Sequence, residues 1–438
     1  MKKSVGKHEV DVVTLGCSKN LIDSERLLGR LAKAGINARH NPHKLGSETV
    51  VVNTCGFIGD AKEESVNTLL QAISNKVNGT LAGVYVMGCL SERYRQEITD
   101  EMPELDGIFG KFDWQNLAAY LSARRDLSTH PWDRTLSTAP HYTYIKVSEG
   151  CNRFCAFCAI PLITGRHTSR PVDEIVDEVT RLAAEGTVEF NIIAQDLSSY
   201  GRDIDSQGRS LLAELLDRLS AVPGVEMIRL HYAYPADFPM DVLDAMARNP
   251  KVCRYLDIAL QHIDNGVLAN MRRHITAEQT RDLLAKIRRA VPGIHIRTTM
   301  MVGFPGETDE AFEALVEFVR EQRFERLGAF AYCEEEGTYA QQHFPDSIPD
   351  EVKQSRLDRL MAIQQDIAFE VAEAKVGTTM RVIIDEETPD FFVGRTEFDS
   401  PEVDCCVFVE KDPAIEIGKV YDINITGTEE FDLYGKLA

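Results

Sequence analysis

The chain has 438 residues and lacks any run of about 18 apolar residues, which excludes a membrane-spanning helix. Its first ten residues, Met1 to Val10, lack the apolar centre of a secretory signal, so a cytoplasmic location with no membrane partner is expected. Positive charge is scarce: 48 Lys and Arg stand against 69 Asp and Glu, for a net charge of −21 and a pI near 5.0. Non-specific binding of nucleic acid needs cation-rich surface and is therefore excluded. A basic protein suits such a chain better as a partner. Short-period repeats and low-complexity tracts are absent too. What is present is ordinary for a globular protein, with 44% apolar and 27% charged residues, which excludes a disordered or collagen-like chain. Ten cysteines without an export signal point to reduced thiols used for metal or catalysis rather than to disulfides.

At about 100–200 residues per domain, this length implies two to four domains. Three stretches differ in pattern. Up to Leu127, the short β-branched runs Val10–Leu15, Thr49–Val52 and Gly83–Met87 read as buried strands between helices at Leu21–Ala34 and Asp60–Ile73, an alternation that predicts a doubly wound parallel sheet. Residues 126–140, with Ser, Thr, His and two prolines, read as a linker. Strands then follow at Tyr142–Val147, Val188–Ile193, Met227–Leu230, Leu256–Leu260, Ile294–Met301 and Leu327–Ala331, with helices between them. Six strand–helix units predict a partial (β/α) barrel, whose chemistry sits at the C-terminal strand ends. Pro349–Val376 reads as one long helix, and the runs Thr379–Ile384, Phe391–Thr396, Asp404–Phe408 and Lys419–Thr426 as a small antiparallel β-barrel. From Val371 to the end there are six Lys or Arg and sixteen Asp or Glu, so this tail carries about half the net charge. It is a poor phosphate binder and a plausible dock for a cationic protein, through residues such as Asp385, Glu386, Glu387 and Asp390.

Cys151, Cys155 and Cys158 form Cys-x3-Cys-x2-Cys directly after the first barrel strand. Structural zinc would call for four ligands, and no fourth Cys or His lies close by. Three thiolates suit a 4Fe–4S cubane whose fourth iron stays open to a small molecule. Low-potential electrons at such an iron can cleave a bound sulfonium and begin radical chemistry. A chance cluster of loop cysteines is the alternative. A second trio is spread out: Cys17, Cys55 and Cys89 each stand just past an expected strand of the N-terminal sheet. Parallel strands end along one edge, where ligands of open α/β sheets bind, so these three can converge on a second open-iron cluster. Simple burial as small apolar residues is the competing reading. Cys253, Cys333, Cys405 and Cys406 read as packing residues, the last two adjacent within a strand and facing opposite sides. At the barrel mouth, Gln195, Asp196, His231, Gln261 and His262 follow strands, as does the turn Val302–Thr308. They are open to two readings, polar contacts to a bound cofactor or satisfied strand-end caps. Phe157 either packs on an adenine ring or only buries the cluster.

At these residues the chain resembles the radical S-adenosylmethionine methylthiotransferases, over essentially its whole length. The resemblance implies an N-terminal methylthiotransferase domain at 8–127, a radical barrel at 137–370 and a TRAM domain at 373–438. It implies two 4Fe–4S clusters, on Cys17, Cys55 and Cys89 and on Cys151, Cys155 and Cys158, with S-adenosylmethionine on the latter and no side chain acting as the catalyst; Phe157, Gln195 and Gln261 are the candidates at the barrel mouth to contact that cofactor. Within the family, two branches differ in local wording. Thr14–Arg26 looks like the LGCxKNLxDSE signature of the branch that modifies ribosomal small-subunit protein twelve, whereas the tRNA-adenosine branch typically reads GCQMNxxDSE. Asn53–Ile58 is similar to NTCGFI of the first branch, and Ile193–Asp196 with Ser199–Gly201 to its IAQD and YG. Ser18 stands where proline is common. The implied reaction is methylthiolation of the β-carbon of an aspartate in that basic ribosomal protein, free or on the ribosome. An electron donor and a sulfur donor are implied, and direct tRNA binding is not. A tRNA methylthiotransferase and a non-catalytic iron–sulfur protein that binds ribosomes are the rival readings.

Overall fold

The computed structural model describes residues 9–123 and 133–438. Its contacts divide into two compact units, one of residues up to 138 together with 159–166 and one of residues 139–158 and 167–438.

The first unit is a parallel sheet of β1 (Glu9–Thr14), β2 (Asn37–His40), β3 (Thr49–Thr54), β4 (Gly83–Gly88) and β5 (Gly107–Ile108), in the order β2-β1-β3-β4-β5. Helices α1 (Ser18–Lys33), α2 (Gly59–Val77), α3 (Cys89–Arg93), α4 (Arg95–Glu101) and α5 (Trp114–Ser122) return the chain between strands. The β-branched triplet Val50-Val51-Val52 shows why the sheet is wound on both sides. Val50 and Val52 face Leu69 and Ile73 of α2, while Val51 faces Leu27 and Leu31 of α1 and Leu117 of α5. All three valines are fully buried, each contributing about 1.5–3 kcal/mol of apolar transfer. Of the expected linker, residues 126–132 lie outside the described residues; from 133 the chain is pinned to α1, where Arg134 pairs with Glu25 at 2.6 Å and the Ser137 amide donates to the same carboxylate at 2.8 Å. Segment 159–166, carrying α6 (Ile160–Thr164), packs Ala159 and Ile163 against Cys89.

The second unit opens with β6 (Tyr142–Lys146) and a short ribbon of β7 (Ser148–Glu149) and β8 (Thr168–Ser169). There follow α7 (Val172–Ala184), β9 (Glu189–Ile193), α8 (Leu212–Ser220), β10 (Met227–Ala233), α9 (Asp241–Arg248), β11 (Val252–Ile258), α10 (Asn265–Asn270), α11 (Ala277–Ala290), β12 (His295–Val302), α12 (Asp309–Gln322) and β13 (Arg326–Ala331). The six long strands run parallel in the order β13-β12-β11-β10-β9-β6, with both end strands unpaired on one side, so the barrel is partial. After α13 (Tyr339–His343), helix α14 (Asp350–Glu373) leads into a closed barrel of β14 (Thr379–Glu387), β15 (Phe391–Thr396), β16 (Val407–Glu410), β17 (Val420–Glu429) and β18 (Asp432–Leu437). This barrel has a fifth strand that alternation did not reveal, and β16 pairs with β18 in parallel, so it is antiparallel except at that seam. Cys405 and Cys406 precede β16 rather than lying within a strand, because the Cys406 amide donates to Asp432 at 2.8 Å instead of joining the β15 ladder.

Segment 396–404, running from the last residue of β15 toward β16, closes the N-terminal end of the partial barrel. Each of the six strands sends a side chain to it or to Arg395 beside it. Tyr142 of β6 donates to Glu402 at 3.0 Å, Glu189 of β9 pairs with Arg395 at 2.8 Å, and Arg229 of β10 donates to the carbonyl oxygens of Thr396 and Glu397. Tyr255 of β11 donates to Asp404 at 3.0 Å, the His295 ring of β12 stacks on Phe398 at 3.8 Å, and Arg326 of β13 pairs with Asp399 at 2.6 Å. Asp385, expected on an outer docking surface, instead pairs with Arg395 and His141 in this network.

Candidate functional site

The two thiol trios stand where the strands deliver them, one in each unit. In the first unit, Cys17 is the residue before α1, Cys55 follows β3 and Cys89 opens α3 directly after β4. Strands β1, β3 and β4 are neighbours in register, Thr14 opposite Asn53 and Asn53 opposite Met87, so the three loops share one sheet edge. Two glycines make room. A Cβ on Gly16 would stand 2.8 Å from Cys55 Cβ, and one on Gly88 2.5 Å from the Thr54 carbonyl oxygen; both residues take positive φ, 87° and 109°.

Asn20 ties the loops together. Its Nδ2 donates to the Leu15 and Thr54 carbonyls at 3.0 and 3.1 Å, and its Oδ1 accepts from Cys89 Sγ at 3.4 Å. Lys111, 1% exposed, pairs with Asp23 at 2.9 Å and acts electrostatically on all three thiols. Crowding by the chain works to raise the Cys17 thiol, but Lys19, Lys111 and the amides of Asn20 and Lys19 together hold it below the usual range. Burial pushes Cys55 up and Cys89 up to about 12.

In the second unit, Cys151, Cys155 and Cys158 lie on the loop after β7. Gly150 and Phe154 turn that loop with φ of 76° and 50°. The loop is anchored at its middle, since the Ala156 amide donates to the Met271 carbonyl and its carbonyl accepts from Ala340. Cys155 Sγ lies 3.2 Å from Arg273 Nη1 and 3.8 Å from the Tyr234 hydroxyl, and Cys151 Sγ accepts from the Arg153 amide at 3.5 Å. Arg153 and Arg273 each lie over the Tyr234 ring, at 4.3 and 4.1 Å, and Arg153 is fixed by Asp196 at 2.7 Å. Burial pushes the Cys151 thiol up to about 12, with the Arg153 amide and guanidinium pulling the other way, so loading a metal there must overcome desolvation of the thiolate. Among the described residues no three His, Cys, Asp or Glu side chains already close on a point that would hold a single metal ion. A cubane spreads its thiolates over separate irons, so trios gathered on one sheet edge and on one loop fit it, while a mononuclear ion would need tighter closure.

Of the polar residues expected at the mouth, Gln195 and Gln261 each present a buried Oε1 with no hydrogen-bond partner. Gln195 Nε2 donates to Glu149 at 2.8 Å, and Gln261, at φ 74°, bridges to β12 through the Thr299 carbonyl and the Met301 amide. A buried acceptor left unpaired is costly, and these two suit the ammonium and hydroxyl groups of adenosylmethionine. Phe157 packs edge-on to Phe304 with Met301 and Tyr332 nearby, inside the apolar cluster under the loop. Asp196, His231 and His262 have internal partners in Arg153, Asn191 and the Asp264 amide. In the turn after β12, Glu307 accepts from the Gly303 amide at 2.8 Å and Thr308 caps α12. Lys111, Arg273 and Tyr234 escaped the sequence reading because nothing periodic marks them; Asn20 lay within the quoted signature.

Comparison with known proteins finds three family matches along the chain. Residues 9–110 match the Uncharacterized protein family UPF0004, residues 145–319 the Radical SAM superfamily and residues 376–437 the TRAM domain. The chain is 53% identical over 433 residues, 98% of its length and 99% of the relative's, to the ribosomal protein uS12 methylthiotransferase RimO of Parabacteroides distasonis. The chain belongs to the RimO family. Identity to the RimO of Christiangramia forsetii is 47% over 436 residues, covering 99% of this chain and 95% of that one. Among solved structures, the radical S-adenosylmethionine methyltransferase TsrM from Kitasatospora setae matches with a TM-score of 0.56 at 17% identity, covering 76% of this chain and 74% of that one. That likeness places the partial barrel in the radical S-adenosylmethionine fold. As a RimO-family enzyme the chain uses 4Fe–4S clusters and S-adenosylmethionine. No helix among the described residues is long and apolar enough to cross a membrane.

Proposed function

We propose that the chain is the methylthiotransferase of ribosomal small-subunit protein uS12, acting on the β-carbon of an aspartate through two 4Fe–4S clusters. The observation that carries this is the full-length identity to RimO, which spans both thiol trios and the acidic barrel. When bound, adenosylmethionine on one cluster supplies a one-electron route to an unactivated C–H bond, and the second cluster supplies the sulfur that is methylated and transferred.

The chain's own residues set up that chemistry. Cys151, Cys155 and Cys158 would hold the radical cluster, with Arg273 and Arg153 offsetting the negative charge of its thiolates. Cys17, Cys55 and Cys89 would hold the second, with Lys111 in the same role and Asn20 fixing the spacing of their loops. Gln195 and Gln261 offer amide oxygens to the cofactor, and Phe157 seals the loop from beneath. The reaction calls for an electron donor and a sulfur donor. The RNA reading loses ground because the tail carries sixteen carboxylates against six cations.

Anaerobically reconstituted protein should bind about eight irons, two cubanes' worth. Cys17→Ala should lose half of them and stop thiolation, yet still cleave adenosylmethionine. Full iron and full thiolation in that variant would show the first trio to be misassigned. Mass spectrometry of uS12 and of tRNA from a deletion strain separates the protein substrate from the RNA one.

A further inference from the structure

Arg297 of β12 is a cation that the fold holds only loosely. Strand register puts it level with Asp257 of β11 and Arg326 of β13, on the face that carries His295 and Arg326 to segment 396–404. Its guanidinium lies 3.8 Å from Asp257 and 3.5 Å from Asp404, both long for a hydrogen bond, and among the described residues it donates none. Its side chain stays 24% exposed. Other cations of this barrel are taken: Arg326 by Asp399, Lys146 by Glu149, Arg153 by Asp196, and Arg273 by Cys155 and the Ala259 carbonyl.

Space adjoins Arg297. A cavity of about 800 Å³ is lined by Arg297, Gly328, Met361, Ala362 and Val403. A Cβ on Gly328 would meet nothing within 4 Å, and Phe330, next along the same face, is 42% exposed. The other charged groups on the cavity wall are Arg326, already paired, and the carboxylates Glu325, Asp358, Asp404 and Asp432, so an anion entering it has Arg297 to meet. Further along β12, Thr299 and Met301 share the face of Arg297, and the cofactor candidate Gln261 bonds to the Thr299 carbonyl and the Met301 amide. Met301 belongs to the apolar cluster under the radical-cluster loop, about 13 Å of strand beyond Arg297. Arg297 therefore stands between the barrel floor and the reacting end.

A guanidinium fork matches a carboxylate in plane with two parallel hydrogen bonds. A carboxylate that enters a barrel needs such a partner, because an unpaired buried anion is strongly disfavoured. We infer that Arg297 receives the side-chain carboxylate of the aspartate to be modified and so holds its β-carbon for the radical, an inference that rests on the substrate reading above. Asp257 and Asp404 sharpen the choice: without the arginine's charge they would repel the incoming carboxylate.

The test uses the full-length, cluster-loaded enzyme with uS12 and with uS12 whose target aspartate is replaced by asparagine. Wild type should modify the aspartate form with a kcat/KM about tenfold or more above the asparagine form. Arg297→Gln should lose about tenfold to a hundredfold on the aspartate form, mainly through KM, and should abolish or reverse the preference, while Arg297→Lys keeps part of it. A merely structural residue would lower both forms alike, and an unchanged ratio overturns the inference. A second measurement needs no variant. Phenylglyoxal labelling of wild-type Arg297, read by mass spectrometry of the peptide that carries it, should slow about threefold or more with N-acetylaspartate amide at tens of millimolar. N-acetylasparagine amide should not slow it, and exposed Arg209 should be labelled equally throughout. Equal labelling with the two compounds overturns the inference even where the variants misfold. Selective protection in a wild-type enzyme that leaves uS12 unmodified would uphold the carboxylate site and sink the assigned substrate.

Discussion

At the scale of single residues, each thiol trio comes with a buried cation. Lys111 stands 94 positions after Cys17 and 22 after Cys89, yet its ammonium acts on all three N-terminal thiols. Desolvation favours the neutral thiol while metal binding demands the thiolate, so a nearby fixed cation lowers the cost of loading the site. Lys111→Met keeps the stem and removes the charge. It should weaken iron binding at this site about tenfold to a hundredfold, the range seen when groups supporting metal ligands are removed, with the radical cluster's absorbance unaffected. An iron titration of Lys111→Met in a background where Cys151, Cys155 and Cys158 are replaced by Ala reads this site alone; equal affinity with and without the lysine would remove Lys111 from the account. The six cysteines were legible because their position at strand ends is written in local pattern, three of them after Thr14, Thr54 and Gly88. Lys111, Tyr234 and Arg273 were not, because what brings them to the thiols is tertiary packing, and an isolated Lys, Tyr or Arg carries no periodicity to reveal it.

At the scale of elements, the most consequential piece is the segment 396–404, which lies within the acidic tail. Part of that acidity is spent internally. Against the cost of burial, Arg326 and Lys375 hold the Asp399 carboxyl below its usual range, and Arg395 and Arg229 do the same for Glu189. Burial beside Lys375 pushes His295, stacked on Phe398, down to about 3. The signs agree. A carboxylate with a depressed folded value stabilises above its unfolded value near 4 and loses that contribution as pH falls through the folded one. A histidine kept neutral in the fold costs nothing above its unfolded value of about 6.5, and below it the unfolded chain gains a proton that the folded chain refuses. Stability should therefore begin to fall below pH about 6.5, by up to about 1.4 kcal/mol per pH unit from His295 alone, and more steeply below pH about 4. His295→Phe preserves the stack and should flatten the segment between pH 6.5 and 4.5 in urea denaturation midpoints, while leaving the steeper acid limb. Parallel wild-type and variant curves across that window would show that His295 is not neutral in the fold. The six strands of the partial barrel were readable from their short apolar runs, whereas the fifth strand of the small barrel, β18, was not. The seam between β16 and β18 and the reach of one loop across six strand ends were not readable either, since both depend on how separate elements stack.

At the scale of the whole molecule, changes of pattern along the chain mark where one architecture gives way to another, but they do not say which surfaces must stay together. Burial does. Arg229 and Glu189 are fully inaccessible, Arg395 is 3% exposed, and the cations of β10, β12 and β13 meet the carbonyls or carboxylates of segment 396–404. A detachable substrate-binding module would leave behind a partial barrel with a finished end. This end is finished by the tail itself, and removing one side of a buried charged pair typically costs about 3–5 kcal/mol. Truncation after Lys375 would do so at Arg326, would leave Glu189 with Arg229 alone in place of two arginines, and would uncover Tyr142, Tyr255 and His295 as well. With total stabilities of about 5–15 kcal/mol, the shortened chain should lose the cooperative unfolding of its six-stranded sheet. Hydrogen exchange reads this segment by segment. In the full chain the β10 and β12 amides should be among the slowest to exchange, and in the truncated chain they should exchange as fast as loops, while β3 of the N-terminal sheet keeps its protection. Slow exchange in β10 and β12 without the tail would mean that the barrel closes its own floor and that the acidic segment only rests against it.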